Sequence, residues 1–209
     1  MDRLRVGVLV SGRGSNLQAL LERSADPGCP FAIALVVSNH ADAYALRRAA
    51  QGGVPSAHLE RLDYPSRLAQ QMAIVEEFRS HAVELVVLAG FDRVLTPEFV
   101  AAYPLRIVNI HPSLLPAFAG GLHAQVDALQ YGAKVSGCTV HFVSDAVDAG
   151  PIIGQTAVPV LDEDTAETLA ARILLEEHKL LPRVVEMIAR GQVSVVGRRV
   201  HIGLPWLSK

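Results

Sequence analysis

The stretch Val-Gly-Val-Leu-Val-Ser-Gly-Arg-Gly-Ser-Asn at residues 6–16 indicates the fold class of this chain. Its first five residues form an apolar run without alternation, which is typical of a strand buried on both faces of a parallel sheet. A glycine-rich turn follows at residues 11–16, and a helix is predicted over Leu17–Arg23 with Asn16 as its cap. A strand, a tight turn and a helix in this order predict the start of a doubly wound α/β fold.

The same alternation continues along the chain. Further buried strands are predicted at Ile33–Ser38, Ser56–Leu59, Leu85–Ala89 and Arg106–Ile110. Helices are predicted at Ala43–Gln51, at Ser66–Ser80 and from Thr96-Pro97-Glu98 onward. Two longer strands at Val135–Val143 and Ile152–Val160, a helix over Thr165–Arg190 and a hairpin of Val193–Val196 with Arg199–Ile202 complete the prediction. The fold class is therefore α/β, with a doubly wound, mostly parallel sheet, helices on both faces and a small C-terminal β-hairpin.

Length and composition favour one globular domain over residues 1–209, since half of the 209 residues are hydrophobic and 19% are charged. The formal net charge of −2 argues against nucleic-acid binding, which needs a basic surface. No apolar run has the length of a membrane span, and a signal peptide is not expected at the N-terminus. Two cysteines, Cys29 and Cys138, cannot form a disulfide framework, so we expect a cytoplasmic protein without membrane partners.

The glycine-rich turn at residues 11–16 has the features of an anion site. Backbone N–H groups at a helix start, together with Ser and Asn side chains, can hold a phosphate group. The turn lacks the third glycine of a dinucleotide fingerprint, because Leu17 stands at that position, and it lacks the Gly-Lys-Ser/Thr ending of a nucleotide P-loop. A tight turn without a ligand is the alternative, and the polar pair Ser15-Asn16 favours the phosphate.

Asn109 and His111 interrupt an apolar strand near its carboxyl end. Residues two apart in a strand point to the same side, so the amide and the imidazole should project together. Such a pair can donate hydrogen bonds to an oxygen that gains negative charge, and the imidazole can carry a proton near neutral pH. The alternative is a structural pair, in which Asn109 turns the chain and the backbone satisfies His111.

A histidine that handles protons usually has a carboxylate that orients it. The candidate is Asp148 in the loop between the two late strands, 37 residues beyond His111 (148 − 111). Its setting, Asp-Ala-Gly-Pro, is also that of a simple turn former. Spacing alone does not decide between these two interpretations.

Taken together, four motifs resemble the phosphoribosylglycinamide formyltransferase family. They are Ser-Gly-x-Gly-Ser-Asn at 11–16, Val-Leu-Ala-Gly-Phe at 87–91, Asn-Ile-His-Pro-Ser-Leu-Leu-Pro at 109–116, and Val-His-Phe at 140–142 followed by Asp-x-Gly-Pro at 148–151. The third motif is that of transferases that use 10-formyltetrahydrofolate. The resemblance extends over roughly residues 4 to 190.

The resemblance implies transfer of a formyl group from 10-formyltetrahydrofolate to the amine of glycinamide ribonucleotide, without a metal. It implies a phosphate-binding half at 1–110 and a folate-binding and catalytic half at 111–209. Gly14, Ser15 and Asn16 would hold the substrate phosphate. Asn109 and His111 would polarise the formyl group, with His111 as the proton donor. Asp148 would favour the protonated form of His111 and help to remove the amine proton through water.

The resemblance also implies further ligand contacts. Residues expected to contact the folate are Arg67, Asp92, Arg93, Val94, Leu95, Asn109, Ala146 and Val147. Glu177 would hydrogen-bond the ribose, although a solvent-facing position on its helix is the alternative. Three departures stand out. Asp92 occupies a position where the family usually has Met, and the loop at 117–123, which contains His123, differs from the usual one. Leu174 occupies a helical position where some members carry a Lys near the phosphate.

Rival functions within the same wider group predict other chain lengths. A methionyl-tRNA formyltransferase should carry an additional C-terminal RNA-binding domain, and a formyltetrahydrofolate hydrolase an additional N-terminal domain. We expect neither in a chain of 209 residues. A sugar-phosphate-binding protein without catalysis is the rival of a different class. The expected partners are small-molecule substrates, and the expected assembly is a monomer or homodimer.

Overall fold

The computed structural model describes residues 2–121 and 123–203, which form two compact units. The first unit ends at Asn109 and the second begins at Ile110. Strands are found in the first unit at β1 (Leu4–Val10), β2 (Phe31–Ser38), β3 (Ser56–His58), β4 (Leu85–Leu88) and β5 (Ile107–His111), of which β5 runs into the second unit. Helices are found there at α1 (Ser15–Ala25), α2 (Tyr44–Gln51), α3 (Arg67–Ser80) and α4 (Pro97–Ala102), and a 3-10 turn at Arg61–Asp63.

The strands of the first unit lie in the order β3-β2-β1-β4-β5 and are all parallel to their neighbours. The interior of β1 and the whole of β4 are buried, as their uniform apolar sequences predict. The strand order reverses direction at β1, between β2 and β4. In such sheets, ligands bind outside the carboxyl ends of the strands at this switch point.

The second unit contains the remaining elements. They are α5 (Ala124–Tyr131), β6 (Val135–Phe142), β7 (Ile152–Pro159), α6 (Ala166–Ala189), β8 (Val193–Val196) and β9 (Arg199–Ile202). β6 pairs antiparallel with β7, and β8 with β9. Helix α6 packs on both β6 and β7, and Pro182 lies buried within it. The predicted α/β class, mostly parallel sheet and terminal hairpin are confirmed, whereas the single domain over 1–209 stays a prediction.

Two sequence predictions about helices are wrong. Asn16 is not a cap but the second residue of α1, because Gly14 takes a left-handed backbone (φ 68°) and lets the helix begin at Ser15. Helix α5 was not predicted at all. Its buried residues are two alanines, Ala124 and Ala128, which give only a weak hydrophobic period. Among the described residues, no helix combines the length and apolarity needed to cross a membrane.

Candidate active site

Strand β5 carries the predicted Asn109 and His111 near its carboxyl end. The two residues are separated by one position, so their side chains point to the same side of the strand. Asn109 is half-buried, whereas the His111 side chain is only 6% exposed. An imidazole so far removed from water needs polar partners within the protein.

Oxygen atoms face both ring nitrogens of His111. Nε2 lies 3.1 Å from the carbonyl oxygen of Phe118, and Nδ1 lies 3.3 Å from Oδ2 of Asp148. A carbonyl and an ionised carboxylate only accept hydrogen bonds, whereas a neutral imidazole carries a single N–H. This geometry therefore favours the doubly protonated imidazolium.

Asp148 lies in the loop between β6 and β7 with a side chain only 10% exposed. Its Oδ2 accepts a hydrogen bond from the N–H of Gly120 at 2.9 Å, and its Oδ1 lies 3.6 Å from Nε2 of His141. The pKa of the Asp148 carboxyl is lowered, chiefly by His141, with Gly120 and His111 adding to the effect while burial opposes it. The pairing of Asp148 with His111, which the sequence left open, is therefore present.

The loop after β5 contributes contacts that sequence reasoning missed. Phe118 and Gly120 reach His111 and Asp148 through their backbones, so their side chains gave no signal. His123 from the same loop is exposed and has no side-chain cap bond to α5, while Leu122 lies outside the described residues. His141 belongs to the Val-His-Phe motif at 140–142 and is buried on β6, and the sequence alone gave no indication of a role for it.

The glycine-rich turn is built around Gly14, which precedes the first residue of α1. The first bond within α1 runs from the Gln18 N–H to the Gly14 oxygen at 2.9 Å, so the earlier N–H groups of the turn point out of the helix end. A Cβ added at Gly14 would lie 2.6 Å from Cβ of Ala45. Ala45 is fixed there because its N–H donates to the Gly12 oxygen at 3.1 Å. Backbone conformation and packing therefore both require glycine at position 14.

Asp92 forms part of a polar cluster that sequence reasoning did not foresee. Its Oδ1 accepts hydrogen bonds from Asn39 Nδ2 at 2.8 Å and Ser11 Oγ at 3.1 Å, and its Oδ2 lies 2.9 Å from His40 Nε2. Burial opposes ionisation of Asp92, but the His40, Asn39 and Ser11 hydrogen bonds outweigh it and lower the pKa. The negative charge of Asp92 is therefore stabilised by its contacts with Asn39, Ser11 and His40.

The predicted folate-contacting segments are mostly exposed. Val94 and Val147 each expose 52% of their surface, and Leu95 is buried. Arg93, Ala146 and Arg67 are also exposed, and Arg67 is the first residue of α3. The contact of these residues with folate stays a prediction.

Glu177 is 6% exposed and lies on the buried side of α6, so the solvent-facing interpretation is wrong. Its contact with ribose stays a prediction.

Burial, assisted by the charge of Glu177, raises the pKa of Cys138 to about 12. Across residues 2–121 and 123–203, no group of three or more His, Cys, Asp and Glu side chains is arranged to hold a metal ion.

The fold is α/β, and its site contains a buried histidine–aspartate pair. The histidine, His111, is the last residue of the parallel strand β5. Residues 4–185 match the family described as formyl transferase. The chain belongs to the formyl transferase family.

Three relatives illustrate the similarity. The trifunctional purine biosynthetic protein adenosine-3 of Chironomus tentans is 47% identical over 93% of this chain, which spans only 14% of that protein's length. The phosphoribosylglycinamide formyltransferase of Escherichia coli is 39% identical, over 98% of this chain and 93% of its own. The crystal structure of glycinamide ribonucleotide transformylase 1 from Symbiobacterium toebii is 50% identical, with a TM-score of 0.94 and coverage of 97% and 95%.

The lowered pKa of Asp148 predicts a pH-dependent contribution to stability. A carboxyl with a lowered pKa stabilises the fold above its ordinary value of 3.8, and this stabilisation is lost as pH falls through the lowered value. We expect Asp148→Asn to reduce the free energy of unfolding by about 1–3 kcal/mol at pH 7, and by progressively less below pH 3.8.

Urea unfolding of both proteins across this range would measure the difference. Asp145→Asn, at an exposed position in the same loop, is the matched control and should change little at any pH. A penalty for Asp148→Asn that does not change with pH would contradict the assignment.

Proposed function

We propose that this chain transfers the formyl group of 10-formyltetrahydrofolate to the amine of 5'-phosphoribosylglycinamide, as a cytoplasmic enzyme of purine biosynthesis. The observation that carries the proposal is the buried His111–Asp148 pair, in a chain that aligns over nearly its whole length with an enzyme of that name. The trifunctional relative is much longer, so its other activities are not proposed for this chain.

The proposed roles divide between the two units. Gly14, Ser15 and Asn16 would hold the substrate phosphate at the N-terminus of α1, where the helix end favours an anion. The segments Asp92–Leu95 and Ala146–Val147 would contact the folate, together with Arg67 and Asn109. Glu177 would contact the ribose. The proposed partners are small molecules, and the chain would act as a monomer or homodimer without nucleic acid or membrane.

The reaction itself makes a limited demand on the protein. The substrate amine attacks the formyl carbon and forms a tetrahedral centre whose oxygen is negatively charged. The Asn109 amide and the His111 imidazolium would stabilise that oxygen by hydrogen bonding. The bond from carbon to the folate nitrogen then breaks, and His111 donates the proton that the departing nitrogen needs. Asp148 would accept the proton of the attacking amine through water.

The state of His111 supports its role as the proton donor. The carbonyl of Phe118 and the carboxylate of Asp148 favour the form with a proton on each nitrogen. Nδ1 faces Asp148, so Nε2 is the nitrogen that would serve the substrate. Nε2 would exchange its contact with Phe118 for one with the reacting oxygen or nitrogen.

The direct test is formyl transfer by the purified protein from 10-formyltetrahydrofolate to 5'-phosphoribosylglycinamide, compared with other amines. We expect transfer to this amine alone.

We expect Asn109→Ala to slow turnover by about 10²–10³, because one donor to the oxyanion is lost. Asp148→Asn should keep the fold and also lower the rate sharply. Wild-type rates for Asp148→Asn from pH 6 to 8 would contradict its role.

A non-catalytic sugar-phosphate-binding protein would behave differently in the same experiment. It would bind 5'-phosphoribosylglycinamide by calorimetry without forming product, and the Asn109, His111 and Asp148 variants would bind as the wild type does. Binding retained in these variants, with transfer present in the wild type and lost in them, supports the enzyme.

The phosphate site has its own test in Gly14→Ala. The added Cβ would clash with Ala45 and oppose the left-handed backbone, which would displace the first turn of α1. We expect the KM for 5'-phosphoribosylglycinamide to rise about tenfold, equivalent to about 1.4 kcal/mol of binding. The KM for the folate should be unchanged.

Gly12→Ala is the matched control for this variant. A Cβ at Gly12 meets no atom within 4 Å, and its φ lies outside the left-handed region. Its kinetic constants should therefore be those of the wild type. An unchanged KM in Gly14→Ala would place the phosphate elsewhere.

A further inference from the structure

His141 is a buried ionisable residue that the proposed chemistry leaves without a role. It lies on β6 with a side chain only 2% exposed. Its Nδ1 lies 2.9 Å from the carbonyl oxygen of Phe142. Because a carbonyl only accepts hydrogen bonds, Nδ1 must carry a proton to make this contact.

The other nitrogen of His141 faces the proposed catalytic carboxylate. Nε2 lies 3.6 Å from Asp148 Oδ1, which is an ion-pair distance rather than a hydrogen bond. If Nε2 lacked a proton, its lone pair would face a carboxylate oxygen and repel it. Since Nδ1 is already protonated, a proton on Nε2 makes His141 an imidazolium. The two oxygens of Asp148 thus face different histidines, His111 at Oδ2 and His141 at Oδ1.

The backbone around Asp148 is built to maintain this arrangement. Asp148 has a left-handed backbone (φ 50°), a conformation that residues with a Cβ adopt uncommonly. The returning chain is held close to β6, because the Phe142 N–H donates to the Pro151 oxygen at 2.9 Å. A Cβ at Gly150 would overlap the Phe142 carbonyl oxygen, so only glycine permits this approach. The Phe142 backbone therefore contacts both partners, His141 through its carbonyl oxygen and the loop that carries Asp148 through its N–H.

The other charged groups near β6 act at a different position. Burial, with the charges of Glu177 and Glu176 of α6 adding to it, raises the pKa of Cys138, which lies three residues before His141 on the strand. Strand β7 has no titratable side chain. From β5, His111 faces the same carboxylate. The lowered pKa of Asp148, of which His141 is the largest cause, agrees with this assignment.

We propose that His141 is a positioning residue for formyl transfer: as an imidazolium it holds the Asp148 carboxylate in the orientation that pairs with His111, and it takes up part of the carboxylate's charge. The proposal rests on the proposed function. It adds a second histidine whose protonation sets how strongly Asp148 acts on His111.

Two substitutions separate the contacts of His141. The side-chain amide of Asn can occupy the place of Nδ1. His141→Asn therefore keeps the hydrogen bond to the Phe142 carbonyl and loses the ion pair with Asp148. The longer Gln places its amide near the position of Nε2. His141→Gln therefore keeps a hydrogen-bond donor to Asp148 and loses the hydrogen bond to the Phe142 carbonyl. His201→Asn, at an exposed position on β9, is the control for a histidine change outside the site.

We expect His141→Asn to lower kcat by up to about 100-fold, since a misplacement of about 1 Å near the reaction costs that much, and His141→Gln to lower it less. Both variants remove a positive charge beside Asp148, so the alkaline limb of the pH–rate profile should move to higher pH. A purely structural His141 would give the opposite order of the two variants and an unmoved profile. Either result would overturn the proposal, as would wild-type kinetics in His141→Asn.

A measurement without substrate separates this proposal from the proposed function. In ¹⁵N NMR spectra of the free protein, His111 should keep its second proton to higher pH in both His141 variants than in the wild type. His201→Asn should leave the His111 titration unchanged. A shift in the absence of any formyl transfer would support the charge coupling and reject the function. An unmoved His111 titration would reject the coupling even in an active enzyme.

Discussion

A carboxylate buried between two imidazoles is the interaction on which the site depends. Removing a charge from water is costly unless partners and hydrogen bonds replace the solvent. Asp148 has these partners in His111, His141 and the Gly120 N–H. The left-handed backbone at Asp148 is kept because these contacts over-determine its position. An uncompensated charge would result from the loss of either the carboxylate or its partners.

The parallel sheet of the first unit supplies a different kind of polar site. At its carboxyl edge, the loops after β1, β2 and β4 meet through Ser11, Asn39 and Asp92. The glycine-rich turn lies on the first of these loops, and the predicted folate segment begins on the third. Because Asp92 is held by neighbours on the other loops, its charge serves to fix the loops to one another. This accounts for a carboxylate beside expected ligand contacts without requiring it to touch the ligand.

The strands were predictable because burial on both faces leaves a plain apolar signature, as in β1 and β4. The terminal hairpin was predicted with its observed bounds, since Gly197-Arg198 marks its turn. Helix α5 escaped prediction because two alanines and tertiary contacts, rather than a hydrophobic stripe, define it. The cap of α1 was predicted at Asn16, two positions too late, because a left-handed glycine at position 14 replaces a side-chain cap.

The site was only partly predictable for a related reason. Asn109 and His111 share a strand, so local geometry relates them, whereas Asp148 is brought to His111 by the fold and local spacing could not show it. Phe118 and Gly120 contact the site through backbone atoms, which every residue type has, so these contacts cannot be predicted from residue identity. His40 and Asn39 follow an ordinary strand, and only the tertiary position of Asp92 gives them a role.

The proposed function requires His111 and Asp148 to act as one unit in formyl transfer. A double-mutant cycle tests it most directly, with turnover measured for His111→Ala, Asp148→Asn and the double variant at saturating substrates. Groups that act together give strongly non-additive losses. We expect the double variant to be about as slow as the slower single variant. Losses that multiply would show instead that His111 and Asp148 act independently, and would refute their proposed joint role.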